Sequence, residues 1–419
     1  MSHISPVLHK SEAPPRRDGV ALAVIASVFF MWGFVTVLND ILVPHLKSVF
    51  QLNYTETMLI QFTFFSAYFL FAMPAAKIIS YFGYRGSIVL GLVVMACGAL
   101  LFLPAASLPS YALFLTALYV LASGMTILQV SANPYVAVLG APERASSRLN
   151  LVQAMNSLGT TVGPYVGGLL ILSQGSAAQD ASAVKLPYLG ICLVLLAVAF
   201  VISRFDLPSV AQIETRGADG EPTGDSVWRH RPLVLAAIGI FVYVGAEVSI
   251  GSFLVSYLSQ PNIGDMPARV AAGFVSFYWG GAMIGRFAGS AILRKLRTGP
   301  VLGTAAMIAC ALVVTSILTS GRIAMWSIIL VGLFNSIMFP SIFTLGIDGL
   351  GKLTGKGSGI LVMAIVGGAI IPILEGATAD RIGIHTAFVL PAVCYLYIVY
   401  YGFRGSQASG THGLALRSH

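Results

Sequence analysis

Two carboxylates sit where a carboxylate is expensive. Asp40 lies in Trp32-Gly33-Phe34-Val35-Thr36-Val37-Leu38-Asn39-Asp40-Ile41-Leu42-Val43-Pro44, inside the first long apolar segment, and Glu247 lies in the seventh, four residues after Tyr243. A charge at membrane depth costs roughly 2.5–3.5 kcal/mol on insertion scales, so it persists where it faces a wet cavity, meets a partner or carries a proton. Each of those outcomes is transport chemistry. The plainer alternative for Asp40 is a helix-end carboxylate reaching the headgroups, since Pro44 and Lys47 follow closely. Amides form the second constellation. Asn39 precedes Asp40, Gln129 and Asn133 lie in the fourth apolar segment, and Asn150, Gln153 and Asn156 follow at i,i+3 steps in the fifth, on one helical face. A row of amides suits the hydroxyls of a sugar, and a site built on such bonds rejects analogues that lack them. The alternative is hydrogen bonding between helices. Later segments add Tyr243, Tyr278, Trp279, Arg286, Asn335, Glu375 and Asp380. Tyr243 and Glu247 share a face, Trp279 offers a ring for a pyranose to stack on, and Arg286 lies within about two turns of Arg294-Lys295, as a structural charge near an inner gate would. The sequence holds no nucleophile–base pair, metal-ligand cluster or phosphate loop, so neither an enzyme, a metal nor a cofactor is expected.

These residues need a membrane scaffold, and the composition supplies one. The chain of 419 residues is 57% hydrophobic and 10% charged, with a mean hydropathy of +0.85; soluble domains carry about 25% charged residues. Roughly 20 apolar residues cross the hydrocarbon core. By that ruler the sequence predicts twelve spans, at 19–46, 55–81, 86–105, 109–139, 146–173, 187–204, 232–259, 268–293, 300–319, 323–350, 357–380 and 385–403. If the N-terminus is cytoplasmic, the inside segments hold most of the Lys and Arg, including Arg16, Arg17, Arg85, Arg144, Arg148, Arg229, Arg294, Lys295, Lys352 and Arg404, and the outside segments only Lys47, Lys185, Arg269, Arg322 and Arg381. Both termini are therefore expected in the cytoplasm. The net charge of +8 is then face charge, with no nucleic acid needed to explain it. No short apolar run with a small-residue cleavage site precedes the first span, so no cleaved signal peptide is expected. All four cysteines fall in predicted spans, which argues against a disulfide framework.

The expected order is a tail at 1–18, a six-span half at 19–204, a flexible cytoplasmic linker at 205–231, a second half at 232–403 and a tail at 404–419. The halves echo each other. Ala132-Asn133-Pro134-Tyr135-Val136 in span 4 parallels Met338-Phe339-Pro340-Ser341-Ile342 in span 10, and Met155-Asn156-Ser157-Leu158-Gly159 through Pro164 in span 5 parallels Met363 through Pro372 in span 11. The proline offsets are 206 and 208, which favours a duplicated half. Six spans plus six around a central loop resembles the major facilitator superfamily, whose substrate sites lie near the midplane between the halves.

The detail of the motifs narrows this. Asn39-Asp40-Ile41-Leu42-Val43-Pro44, Ala132-Asn133-Pro134-Tyr135-Val136-Ala137-Val138-Leu139-Gly140, Arg148-Leu149-Asn150-Leu151-Val152-Gln153-Ala154-Met155-Asn156 and Phe339-Pro340-Ser341-Ile342-Phe343 resemble the fucose–galactose–glucose:proton symporter family over roughly 20–403. The resemblance implies proton coupling by Asp40 and sugar contacts from Gln153 and Asn156. Gln129 stands where the fucose transporter has a glutamate, so a titrating role there is lost or moved, with Glu247 as its candidate replacement. Phe339 takes an aromatic gate position. Tyr243-Val244-Gly245-Ala246-Glu247-Val248-Ser249 looks like the glucose/galactose branch. The loop Tyr81-Phe82-Gly83-Tyr84-Arg85-Gly86 keeps a trace of the superfamily's Gly-Asp-Arg-Gly signature.

The expectation is a monomeric all-α membrane protein of the inner membrane that imports a neutral hexose with a proton, or with sodium, by alternating access. Its expected sugar contacts are Asn39, Gln129, Asn133, Gln153, Asn156, Tyr243, Glu247, Trp279 and Asn335. Asp40 is the expected proton carrier, with Glu247 either a second titrating group or a sugar acceptor, and Phe339 and Arg286 belong to the gates. Rival readings are an N-acetylglucosamine or L-fucose symporter of the same fold, a cation or drug exporter, and a transporter-like sensor.

Overall fold

The computed structural model describes residues 15–52, 54–108, 110–167, 184–205 and 227–406, and every regular element among them is helical. The helices make twelve crossings. Span 1 is Pro15–Phe50. Tyr54–Ser107 is one run divided by Gly83, whose φ of 65° and ψ of 178° turn the chain back and separate spans 2 and 3. Only glycine takes such a backbone cheaply. Spans 4 to 9 are Tyr111–Val138, Ala145–Gly167, Lys185–Arg204, Arg231–Leu258, Ala268–Ile292 and Thr298–Leu318. Span 10 comes in two pieces, Gly321–Asn335 and Met338–Ile347. Span 11 runs through Thr354–Met363, a 3-10 turn at Ala364–Val366 and Gly367–Ile382. Span 12 is Ile384–Ala387 followed by Val389–Phe403. The expected tail and linker residues 1–14, 206–226 and 407–419 lie outside the described residues.

Where the sequence predicts an unbroken span 10, the chain breaks at Ser336-Ile337. The cause is Pro340, which has no N–H to give to the carbonyl four residues earlier. That carbonyl belongs to Ser336. The same rule applies at Pro134 in span 4, which releases the carbonyl of Val130. Both released carbonyls find side-chain donors, described below.

Among the described residues, nine helices are long and apolar enough to cross a membrane, the Leu59–Ser107 run holding two crossings. The other two, spans 5 and 8, carry Asn150, Gln153, Asn156 and Arg286, and they pack against each other. Their polarity is that of an internal interface. Between the two six-span halves, span 5 meets span 8 and span 11 meets span 2. Adding six to each span number exchanges these two pairs, which is what a duplicated half requires.

The duplication extends to atoms. In the first half spans 1 and 5 press together through glycine: a Cβ on Gly159 would strike the carbonyl of Phe30, and one on Gly33 the carbonyl of Asn156. In the second half spans 7 and 11 do the same, with Gly367 against the carbonyl of Phe241 and Gly245 against Ile371. Small residues permit such approach where lipid gives helices no hydrophobic reason to associate.

Gly159→Leu should therefore force spans 1 and 5 apart, a misfit that costs about 1–3 kcal/mol or more. Gly190→Leu, where an added Cβ meets nothing within 4 Å, should be silent. Melting temperature in detergent checks this: Gly159→Leu is expected to melt several degrees lower or to be lost from the monodisperse fraction, and Gly190→Leu to match the parent.

Candidate functional site

The interface between spans 5 and 8 carries a chain of polar contacts that joins the halves. Arg286 of span 8 donates through its guanidinium to the hydroxyl of Ser157 in span 5. Its Nε donates to the backbone carbonyl of Ser336 at 3.4 Å, which is the carbonyl Pro340 releases. The charge of Arg286 also reaches Glu247 and Tyr243 of span 7. The Tyr243 hydroxyl donates to Glu247 Oε1 at 2.7 Å, with the carbonyl of Asn335 3.1 Å away. Ser157 lies twelve residues into span 5, about 18 Å from its start at a rise of 1.5 Å per residue, so the contact is at mid-depth in a core about 30 Å thick.

Asn335 holds this cluster in place. Its Nδ2 donates to the Tyr278 hydroxyl at 2.8 Å, and its Oδ1 accepts from the Tyr395 hydroxyl at 2.7 Å. All three residues are fully buried. The expectation of a sugar contact at Asn335 thus meets an amide already engaged on both sides by tyrosines of spans 8 and 12. Asn156 is similar: its Nδ2 donates to the carbonyl of Phe29 at 3.0 Å, fastening span 5 to span 1. Gln129 donates to the Tyr68 hydroxyl at 2.8 Å, which ties span 4 to span 2.

Other amides keep capacity unused. Gln153 Nε2, both polar atoms of Asn133 and Oδ1 of Asn150 are buried without a partner among the described residues. Buried polar groups are nearly always hydrogen-bonded, so such exceptions point to a ligand or water. Glu375 of span 11 is also buried with neither oxygen in hydrogen-bonding geometry, beside Ser249. Trp279 is 41% exposed, its ring 5.1 Å from that of Tyr278 and nearly perpendicular to it. Phe339 is buried and stacks on Phe343 at 5.9 Å. Asn39 and Asp40 lie in the helix of span 1, and their side chains fall outside the described residues.

Arg286, expected near an inner gate, instead sits in the mid-depth cluster. Further contacts between the halves lie at the face where the chain enters span 1 and leaves span 12, here the termini face. There the halves are fastened by hydroxyls. The Ser146 and Thr344 hydroxyls are 2.6 Å apart, and Thr298 donates to Ser146 at 3.0 Å. Ser147 donates to the Ser290 carbonyl at 2.7 Å, and Ser290 returns a bond to the Ser147 carbonyl at 3.0 Å. Ser358 of span 11 donates at 2.8 Å to the Val130 carbonyl that Pro134 releases. Arg85, in the loop with the signature trace, does not bridge the halves through these bonds: it caps span 6 by donating to the carbonyls of Ile202 and Ser203.

Sequence reasoning missed Ser157, Ser336, Tyr395 and the gate hydroxyls. Ser336 was findable from Pro340 by counting back four residues. Ser157 adjoins Asn156, but nothing in a lone serine announces an arginine partner from the other half.

Twelve helical crossings in two related halves, with a polar cluster at mid-depth between them and a fastened gate at one face, define a secondary transporter. The family model of the Major Facilitator Superfamily matches residues 20–366, and the chain belongs to that superfamily. It is 53% identical over 404 residues to a glucose/galactose transporter of Brucella abortus, covering 96% of this chain and 98% of that one. It is 33% identical to the L-fucose-proton symporter of Escherichia coli, covering 93% and 94%. Its fold superposes on a solved structure of the superfamily transporter FucP in the outward conformation with a TM-score of 0.84 at 32% identity, covering 92% and 99%.

Each gate hydrogen bond contributes about 1 kcal/mol net, so Ser146→Ala with Ser147→Ala should loosen the termini face. The reporter is Ser341→Cys, a fully buried position one turn from Thr344. Its alkylation from the termini face is expected to rise about tenfold or more in the double-alanine background, because the three lost bonds together exceed the roughly 1.4 kcal/mol that makes a factor of ten; an unchanged rate would mean that these hydroxyls do not hold the gate.

Proposed function

We propose that the protein imports a neutral hexose, glucose or galactose, together with a proton, by alternating access, and that the termini face is cytoplasmic. The observation that carries the reading is the mid-depth cluster at the span 5–8 interface. It combines a carboxylate, a guanidinium and tyrosines from the second half with unused amide capacity on span 5. Hexose hydroxyls need both donors and acceptors, and a cluster of this kind offers both. Similarity to a named glucose/galactose transporter over nearly the whole chain supports the substrate class, and similarity to a named proton symporter supports the coupling ion. The cytoplasmic placement rests on Arg85, Arg144, Arg148, Arg294, Lys352 and Arg404, which cluster at the span ends of one face.

In the mechanism, Gln153 and Asn133 bind hydroxyls from the first half, while Glu247, oriented by Tyr243 and flanked by Arg286, accepts from the other side. Asn335, Tyr278 and Tyr395 fix the position of span 10. Sugar held between the halves replaces the contacts that gate opening breaks. Asp40 carries the proton from its place in span 1. Tight coupling requires that the protonated carrier without sugar reorient rarely.

Four outcomes follow. Gln153→Ala, which removes an unpartnered buried amide, should weaken sugar binding by about tenfold or more with little change in melting temperature, because a lost hydrogen bond to a ligand costs about 1–3 kcal/mol. Asn156→Ala should instead lower the melting temperature, because its amide ties span 5 to span 1. Calorimetric titration with D-galactose beside thermal melts separates the two. Asp40→Asn should abolish uphill accumulation in proteoliposomes and leave downhill exchange; full proton-driven accumulation by that variant would refute the coupling role. A competition panel of glucose, galactose, fucose, mannose and N-acetylglucosamine tests the substrate, and preference for a sugar other than glucose or galactose would overturn it.

A further inference from the structure

A cavity of about 360 Å3 opens at the termini face, apart from the mid-depth cluster. It is lined by Arg144, Arg148 and Arg294, by Ser147, and by the apolar side chains of Leu22, Leu139 and Leu151, among others. Among the described residues, none in its lining is acidic. Its size falls at the lower end of the range typical of small-molecule sites, about 300–1,000 Å3.

The three arginines differ in their commitments. Arg148 is fixed: it donates to the carbonyls of Val136, Ala137 and Ala141, which caps span 4 and leaves its charge in the wall. Arg144 and Arg294 are exposed at the cavity. Arg144 belongs to the first half, in the turn Pro142–Arg144, and Arg294 follows span 8 in the second. Ser147 lines the same cavity and bonds across the halves to Ser290. Among the described lining residues, Arg294 alone comes from the second half. When spans 5 and 8 part at this face, Arg144 and Arg294 part with them.

We infer that this cavity binds a phosphate-bearing anion from the side of the termini face, and that the bound anion holds the gate shut by bridging Arg144 and Arg294. Phosphate offers several acceptor oxygens to the planar guanidinium donors, the geometry arginine matches best. The leucines suit the carbon skeleton of a small organic phosphate. A ligand shifts an equilibrium only by its differential affinity for the two states, and this one meets Arg144 and Arg294 together only in the closed-gate state. The anion thus acts as a brake on transport. The braking step rests on alternating access, while binding does not.

The test uses the purified full chain in neutral phosphatidylcholine vesicles, with a hexose 6-phosphate or inorganic phosphate as the probe and chloride at equal ionic strength as the control. Binding is read by melting temperature and calorimetric titration, with D-galactose titrated in parallel. The expected result is stabilisation by the phosphate probe, an affinity at least tenfold weaker in Arg144→Gln with Arg294→Gln and in each single variant, and unchanged galactose binding. Uptake into vesicles loaded with the probe should slow in the parent and not in the double variant. A second arm adds phosphatidylglycerol without the soluble probe; slowing there that depends on Arg144 and Arg294 assigns the phosphate to a lipid headgroup and supports the site. Phosphate binding without galactose binding would sink the hexose reading and leave the cavity standing. The inference is overturned if neither arm gives binding or slowing, or if both are equal in the parent and the double variant.

Discussion

Arg286 is the charge on which the meeting of the two halves depends. A guanidinium cannot discard its proton, so at mid-depth it must be hydrogen-bonded or wet. It finds Ser157 across the interface, the Ser336 carbonyl within its own half, and the field of Glu247. These contacts constrain spans 5, 7, 8 and 10 together. Tyr243 then has to orient the carboxylate, and Asn335 has to hold Tyr278 and Tyr395 so that span 10 presents its carbonyl at the right place. The cost of an intramembrane charge thus becomes a requirement that the site be assembled from both halves, and a substrate bound there senses their separation.

Proline makes the acceptors. A helix interior offers no spare carbonyl, because each is taken by the amide four residues on. Pro340 and Pro134, at matching places in the two halves, each leave one free. The second half uses its free carbonyl for Arg286 near the site, and the first half uses its own for Ser358 at the fastened gate. One duplicated device thus serves the site in one half and the closure in the other. The glycine contacts between spans 1 and 5 and between spans 7 and 11 show the same inheritance without divergence, since they make each half rigid and both halves need that equally.

Much of this was legible from residues alone. Counting apolar stretches of about 20 residues gave twelve spans, though spans 5 and 8 are too polar to stand out as crossing helices. The proline offsets announced the duplication. Span 5 amides and the Tyr243–Glu247 pair were identifiable because helical period places them on shared faces. What escaped was the division of labour among similar groups. Asn156 and Gln153 look equivalent at i,i+3, yet one is tied to the Phe29 carbonyl and the other is unpartnered, a difference set by how near span 1 passes. Arg286 read as a gate charge because its neighbours in sequence are surface arginines, whereas its partners come from three other spans. The gate serines and threonines gave no signal, because a hydroxyl in a membrane helix usually bonds back to its own turn, as Thr126 does to Ala122 and Ser131 to Ile127.

The central claim is that sugar lies between Gln153 on one half and the Glu247–Arg286 pair on the other. The most direct measurement is a structure of the protein with D-galactose bound, at a resolution that places the hydroxyls. The account predicts ring hydroxyls within hydrogen-bonding distance of Gln153 Nε2 and of the Glu247 carboxylate, with the Asn335–Tyr278–Tyr395 contacts unbroken. Galactose bound within one half alone, or bound with Glu247 and Arg286 out of reach, would contradict it.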